Sequence, residues 1–260
     1  MSATKILMDL PARGEYCFTT AGAKQLLGSS DVAVHSTIQR LRKRGDIAMP
    51  FRGFYVIVPP EYRSLGCLPA EQFIPFLMEH LGETYYAGLL SAAQYHGAAH
   101  HRPQVFQVVT ARNRAPLECG KVRVDFIARK NVEEMPASTI NTPRGTLRLA
   151  SPETTAFDLV GYPQHAGGLD NVATILAELA ERLDPDELAR IAEHSPVSWA
   201  QRLGYLLDLV GMSEKTEALA GYLATKRQVA TPLVPSQPVE GAEKNQRWLL
   251  LVNAEVEAEL

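Results

Sequence analysis

Two helical patterns separated by Gly28, Ser29 and Ser30 constrain this chain more than any other feature. Ala23, Leu26 and Leu27 repeat at helical spacing behind Thr19 and Thr20, either of which can cap a short helix, and Gly28 is suited to the left-handed turn that ends one. Ser29 and Ser30 then cap a second helix over residues 31–44, closed by Gly45. Two helices joined by a turn of about four residues containing Gly form the helix-turn-helix signature. Ahead of it, Ile6, Leu7 and Leu10 mark another helix over residues 2–10, ended by Pro11 and Gly14. Behind it, residues 46–58 hold two β-rich runs about a turn at Phe51, Arg52 and Gly53, the pattern of a wing. The order predicts a winged helix-turn-helix over residues 1–63.

The helix over residues 31–44 can be read by angle. At 100° per residue Val34, Ile38 and Leu41 form a narrow apolar stripe, and Ser36, Gln39, Arg40 and Lys43 fall on the opposite side. His35 and Arg42 flank the stripe. The outward face thus offers hydroxyl, amide and guanidinium groups, which hydrogen-bond base edges, with cations placed for phosphates. Arg52 at the wing tip can reach a minor groove or a phosphate. The expected DNA contacts are Ser29, Ser30, His35, Ser36, Gln39, Arg40, Arg42, Lys43, Arg44 and Arg52. A basic residue near a helix end also stabilises the helix dipole, so Arg42 or Arg44 alone carries little weight; the order of elements carries the reading.

Charge supports it. The net charge of −3 hides nine Lys or Arg against five acids in residues 1–63, and 17 against 24 in the remainder. A basic head on an acidic body points to a polyanion at the head alone. With 46% hydrophobic and 21% charged residues the chain reads as globular. No stretch reaches the roughly twenty apolar residues of a membrane-spanning helix, and Asp9 and Arg13 interrupt any signal-peptide core, so a cytoplasmic location is expected. Cys17, Cys67 and Cys119 are an odd number at wide spacings, which gives neither a disulfide framework nor a zinc pattern.

Residues 59–68 read as a linker, with a second domain over residues 64–260 whose first element begins near Pro69. Helices are expected over residues 69–81, bent at Pro75, and 85–96. Strands follow over residues 105–110, 122–128 and 146–149. Ser151-Pro152-Glu153 starts a further helix, and residues 169–183, 185–194, 197–210 and 213–223 are helical, with a lone strand-like run over 247–252. The fold class is α+β: a winged helix-turn-helix followed by a larger mixed α/β domain with a helical C-terminal part.

Enzyme readings find little support. His96, His100 and His101 are close in sequence, but no carboxylate or thiolate lies nearby to complete a metal site. Asp184-Pro185-Asp186 after Gly167-Gly168 resembles the metal-binding pair of a nucleotidyltransferase, yet Asp184 precedes a proline and a helix, where capping explains it better. No Lys has an acid two residues before it, as a restriction-type nuclease requires, and no Gly-x-Ser-x-Gly elbow occurs. Neither a catalytic residue, a metal nor a cofactor is expected.

Several segments resemble the AbiEi family, the antitoxin and regulator half of type IV toxin–antitoxin pairs associated with phage defence. They are Leu10-Pro11 with Gly14, Leu27-Gly28-Ser29-Ser30, Ile38-Gln39 with Arg44-Gly45, and Arg52-Gly53-Phe54-Tyr55. The stretch from Tyr85-Tyr86-Ala87-Gly88 to Tyr95-His96-Gly97, Ser151-Pro152-Glu153-Thr154 to Asp158-Leu159, and Gly167-Gly168-Leu169-Asp170 are similar too. The resemblance implies a repressor of its own operon, bound as a dimer to an operator of inverted repeats in double-stranded DNA. It also implies a C-terminal domain that counteracts a nucleotidyltransferase toxin encoded beside it, directly or indirectly. The alternatives are a regulator with a ligand-sensing or dimerisation domain and no toxin, and a catalytic defence component that uses the head for targeting.

Overall fold

Side-chain caps fix where the N-terminal helices begin, and the residues behind the caps decide which face is buried. The computed structural model describes residues 3–98, 103–226 and 229–259. Its elements begin with α1 (Ala3–Met8), β1 (Cys17–Thr19), α2 (Thr20–Leu27), α3 (Asp31–Lys43), β2 (Ile47–Phe51) and β3 (Phe54–Ile57). There follow α4 (Ala70–Leu81), β4 (Tyr85–Ala87), α5 (Leu89–Tyr95), β5 (Phe106–Thr110), β6 (Leu117–Cys119), β7 (Val122–Ala128), β8 (Ala137–Thr142) and β9 (Gly145–Ala150). The rest is α6 (Pro152–Gly161), α7 (Leu169–Leu179), α8 (Pro185–Glu193), α9 (Val197–Leu209), α10 (Glu217–Ala224), β10 (Thr231–Pro232), β11 (Glu243–Asn245) and β12 (Leu250–Val252). The class is the expected α+β.

The chain divides into two compact units. The first takes in Met1–Tyr86, Gln104–Val132 and Thr139–Arg148; the second takes in Ala87–Pro103, Glu133–Ser138 and Leu149–Leu260. The boundary expected after residue 63 does not coincide with this division, and β3 supplies the physical reason. Side chains alternate along a strand, so Tyr55 and Ile57 join Leu7, Phe18, Val34, Ile38 and Leu41 in the core of the helix-turn-helix. Phe54, Val56 and the following Val58 point the other way, into a second core with Leu68, Phe73, Ile74, Leu77 and Val124. Cys67 and Leu68, expected in a linker, are wholly buried in that second core. The small sheet runs β1-β3-β2, antiparallel throughout, and a six-stranded sheet runs β6-β7-β5-β4-β9-β8. Within the latter β5 and β7 are parallel, Phe106 opposite Val124, and β6 and β7 are antiparallel.

In the second unit α6 is buried from Glu153 to Val160 and packs against α5, α7, α8 and α9. Ser151 caps it by accepting from the Thr154 N–H at 3.1 Å. Residues 85–96, expected as one helix, are a strand and a helix: Tyr86 and Ala87 are wholly buried in β4, and Gly88 is extended at φ −129° before α5. The terminal run is not a lone strand, since β12 lies between β10 and β11. Trp248, just before it, is fully buried and donates its Nε1–H to Asp208 Oδ2 at 2.7 Å.

Candidate nucleic-acid interface

Thr19 and Ser30 open the two helices of the motif. Thr19 Oγ1 accepts from the Gly22 N–H at 3.0 Å, and Ser30 Oγ accepts from the Ala33 N–H at 3.4 Å. Gly28 closes α2 at φ 56°, a conformation that glycine adopts without steric cost. The wing turn uses Gly53 at φ 77°, and its carbonyl accepts from the Thr20 N–H at 3.0 Å, which ties the wing tip to the start of α2. Val34, Ile38 and Leu41 are buried as the angular reading requires, joined by Thr37, whose hydroxyl donates to the Ala33 carbonyl at 2.9 Å.

The expected contact residues do not all share one environment. His35, Ser36, Arg40, Arg42 and Lys43 are exposed along α3, and Arg52 is exposed at the wing turn. Gln39 is half-buried, its Nε2 at 3.4 Å from His35 Nε2, and Arg40 Nη2 donates to Thr4 Oγ1 at 3.1 Å. Ser30 is occupied as a cap, and Ser29 Oγ donates to the Leu27 carbonyl at 3.0 Å. Arg44 is exposed but pairs through Nε with Asp46 Oδ2 at 2.9 Å. Asp46 is 4% exposed and also meets Arg63. Arg44 therefore neutralises a buried carboxylate, a structural task the sequence reading did not assign to it.

Val32 escaped that reading. It is 77% exposed in the first turn of α3 and lines a groove with Thr20, Lys24, Asp31 and His35, where Lys24 and Asp31 pair at 2.7 Å. Two residues before Val34 it sits 200° round the helix from the apolar stripe, so the angular count contained the signal.

Elsewhere the candidates for chemistry take structural roles. Asp184 Oδ1 accepts from the Asp186 and Glu187 N–H groups at 2.9 and 3.1 Å, as a cap does. His96 Nε2 lies 2.8 Å from the Ala150 carbonyl, and burial holds its imidazole below the usual range. His100 and His101 lie outside the described residues. Among the described residues no group of three or more His, Cys, Asp or Glu is arranged to hold a metal ion, and no helix is long and apolar enough to cross a membrane. The cysteines are closer than their spacing indicated. Cys67 hydrogen-bonds Cys119; that bond, with burial, raises the Cys67 thiol, while the same bond lowers that of Cys119 against the opposing effect of burial. Burial alone pushes Cys17 up to about 12.

Comparison with known proteins gives the geometry a context. Residues 5–58 match a family described as a transcriptional regulator, AbiEi antitoxin. Residues 86–209 match the AbiEi antitoxin C-terminal domain. No curated protein matches. A crystal structure of the RV2827C protein from Mycobacterium tuberculosis has a TM-score of 0.69 at 20% identity, covering 99% of this chain and 91% of that one, which is a likeness of fold. With both halves of the family's architecture matched in order, the chain belongs to the AbiEi antitoxin family.

Proposed function

We propose that the chain represses its own operon by setting α3 in the major groove of an operator and Arg52 of the wing against the flanking backbone or minor groove, and that it counteracts a nucleotidyltransferase toxin encoded beside it. The observation that carries the DNA half is the division of α3 into a buried stripe and an exposed band of Ser36, Arg40, Arg42 and Lys43. Ser36 and Gln39 face base edges, Gln39 by leaving His35 for an adenine. Arg40, Arg42, Lys43 and Arg52 face phosphates. Arg44 is left out, because its partner is Asp46. The proposal extends to a dimer on an operator of inverted repeats, in which two copies of α3 would read half-sites about one helical turn apart. The toxin half rests on the match of residues 86–209.

The test uses the full chain. Binding to its own promoter DNA, measured by fluorescence anisotropy, should weaken with salt at about −0.9 per phosphate contact, so roughly −3.6 per protomer for four cations. A slope near zero removes the DNA reading. The double substitution Arg40→Glu and Lys43→Glu should abolish promoter binding yet still rescue growth when the neighbouring toxin is expressed. Loss of both activities would mean that the two halves of the proposal do not act separately.

A further inference from the structure

Burying a guanidinium is costly unless an anion accompanies it. Arg202 on α9 is 8% exposed, and its Nε and Nη2 both donate to one neutral acceptor, the Pro232 carbonyl, at 3.4 and 3.2 Å. Five N–H bonds radiate from a guanidinium, and no carboxylate pairs with this one among the described residues. The contrast with Arg114 and Arg144 is direct, since these meet Glu83 and Glu61. Burial holds the Arg202 guanidinium below its usual range, the direction expected of a cation without a counter-charge.

Arg202 lines a cavity of about 540 Å³ in the second unit. That volume lies within the roughly 300–1,000 Å³ of small-molecule sites. The first turn of α7 forms another part of the wall. Its N-cap is Gly168, which has no side chain to satisfy the first backbone N–H groups of an 11-residue helix. A helix N-terminus favours an anion, and here it shares a cavity with a buried cation. Val160, Leu169, Leu233 and Val234 supply apolar surface. Two acids limit the charge of an occupant. Asp170 lines the cavity while accepting the Glu257 N–H at 3.1 Å, and exposed Glu255 lines it as well. Both would repel the second charge of a phosphate monoester, whereas a single charge can sit on Arg202.

We propose that this cavity binds a small monocarboxylate with an apolar body, its carboxylate on the Arg202 guanidinium and its body against Val160, Leu169 and Leu233. Titration of the full chain with 4-methylpentanoate and with phenylacetate, followed by ligand-observed NMR and calorimetry, should show saturable binding of at least one. The matched neutral amide should bind at least about tenfold more weakly, since a hydrogen-bonded charge pair is lost. Inorganic phosphate should not compete. Arg202→Lys should weaken carboxylate binding while keeping part of its preference over the amide, because an ammonium retains the charge but does not offer the forked donors. Val234→Trp, which leaves the guanidinium untouched and fills the cavity, should abolish binding. Failure of both carboxylates to bind, equal binding of the amide, or stronger binding of phosphate overturns the proposal. Should Arg202→Lys not fold, undiminished binding by Val234→Trp overturns it equally.

Discussion

Val32 and Arg44 show how single residues shift the reading of the recognition helix. On the proposed docking of α3, the exposed valine in its first turn would meet the C5-methyl of a thymine in the major groove. Replacing the contacted thymine by uracil removes one methyl group, about 0.8 kcal/mol and hence roughly a fourfold loss of affinity. In the Val32→Ala variant the same replacement should cost nothing further. Anisotropy on the four combinations checks this, and an undiminished uracil effect in the variant would place the methyl elsewhere. Cys17 makes a prediction of a different kind. Its thiol is raised to about 12 from an ordinary 9.0, so the folded state favours the protonated form. The resulting stabilisation is fully present below pH 9 and is lost as pH rises from 9 towards 12. Urea midpoints should fall over that window, and Cys17→Ala should flatten the fall; an identical pH dependence in the variant would acquit Cys17. At pH 8 a thiol reagent should label the half-buried Cys17 more slowly in the folded chain than after unfolding.

Local rules made the helices legible, and pairing between distant segments hid most of what was missed. Thr19, Ser30, Ser151 and Asp184 each cap the helix that follows, and such a cap needs only its own few neighbours. β4 lies in a stretch, Tyr85 to His96, whose small residues suit a helix, while its strand conformation depends on a sheet whose other members lie at least eighteen residues away in sequence. β8 and the pairing of β12 with β10 were invisible for the same reason. In the candidate interface the buried stripe and the exposed cations were legible from periodicity, but the claim of Asp46 on Arg44 was not, since nothing local marks Asp46 as buried. Packing between elements also makes Gly204 on α9 unusually constrained. A Cβ there would stand 2.2 Å from the buried Trp248 ring. The ring, held by Asp208, has little freedom to retreat. Gly204→Ala should therefore destabilise by roughly 1–3 kcal/mol, despite the better helix propensity of alanine. Thermal unfolding followed by tryptophan fluorescence would show it, and an unchanged or higher Tm would mean that the ring moves aside.

At the scale of the molecule the issue is whether residues 1–63 stand alone, as a winged module expressed by itself would have to. Their helix-turn-helix core is complete within the segment, from Leu7 to Ile57. The opposite face of β3 is not. Phe54, Val56 and Val58 are each no more than 2% exposed, and much of the core that covers them, including Leu68, Phe73, Ile74 and Val124, lies beyond residue 63. Full burial of such side chains contributes about 1.5–3 kcal/mol each. Three of them together approach the roughly 5–15 kcal/mol by which a whole domain is stable. The isolated segment should consequently be marginal, unfold without a sharp transition and associate through the uncovered strand face. A triple variant of that segment, Phe54→Thr, Val56→Thr and Val58→Thr, removes the apolar face while keeping Tyr55 and Ile57 in the remaining core. It should stay monomeric in sedimentation and melt cooperatively. In the full chain the same triple variant should do the reverse and lower the Tm, because there the face is buried. A stable, monomeric wild-type segment of residues 1–63 would refute the shared strand as a structural requirement and restore residue 63 as a true domain boundary.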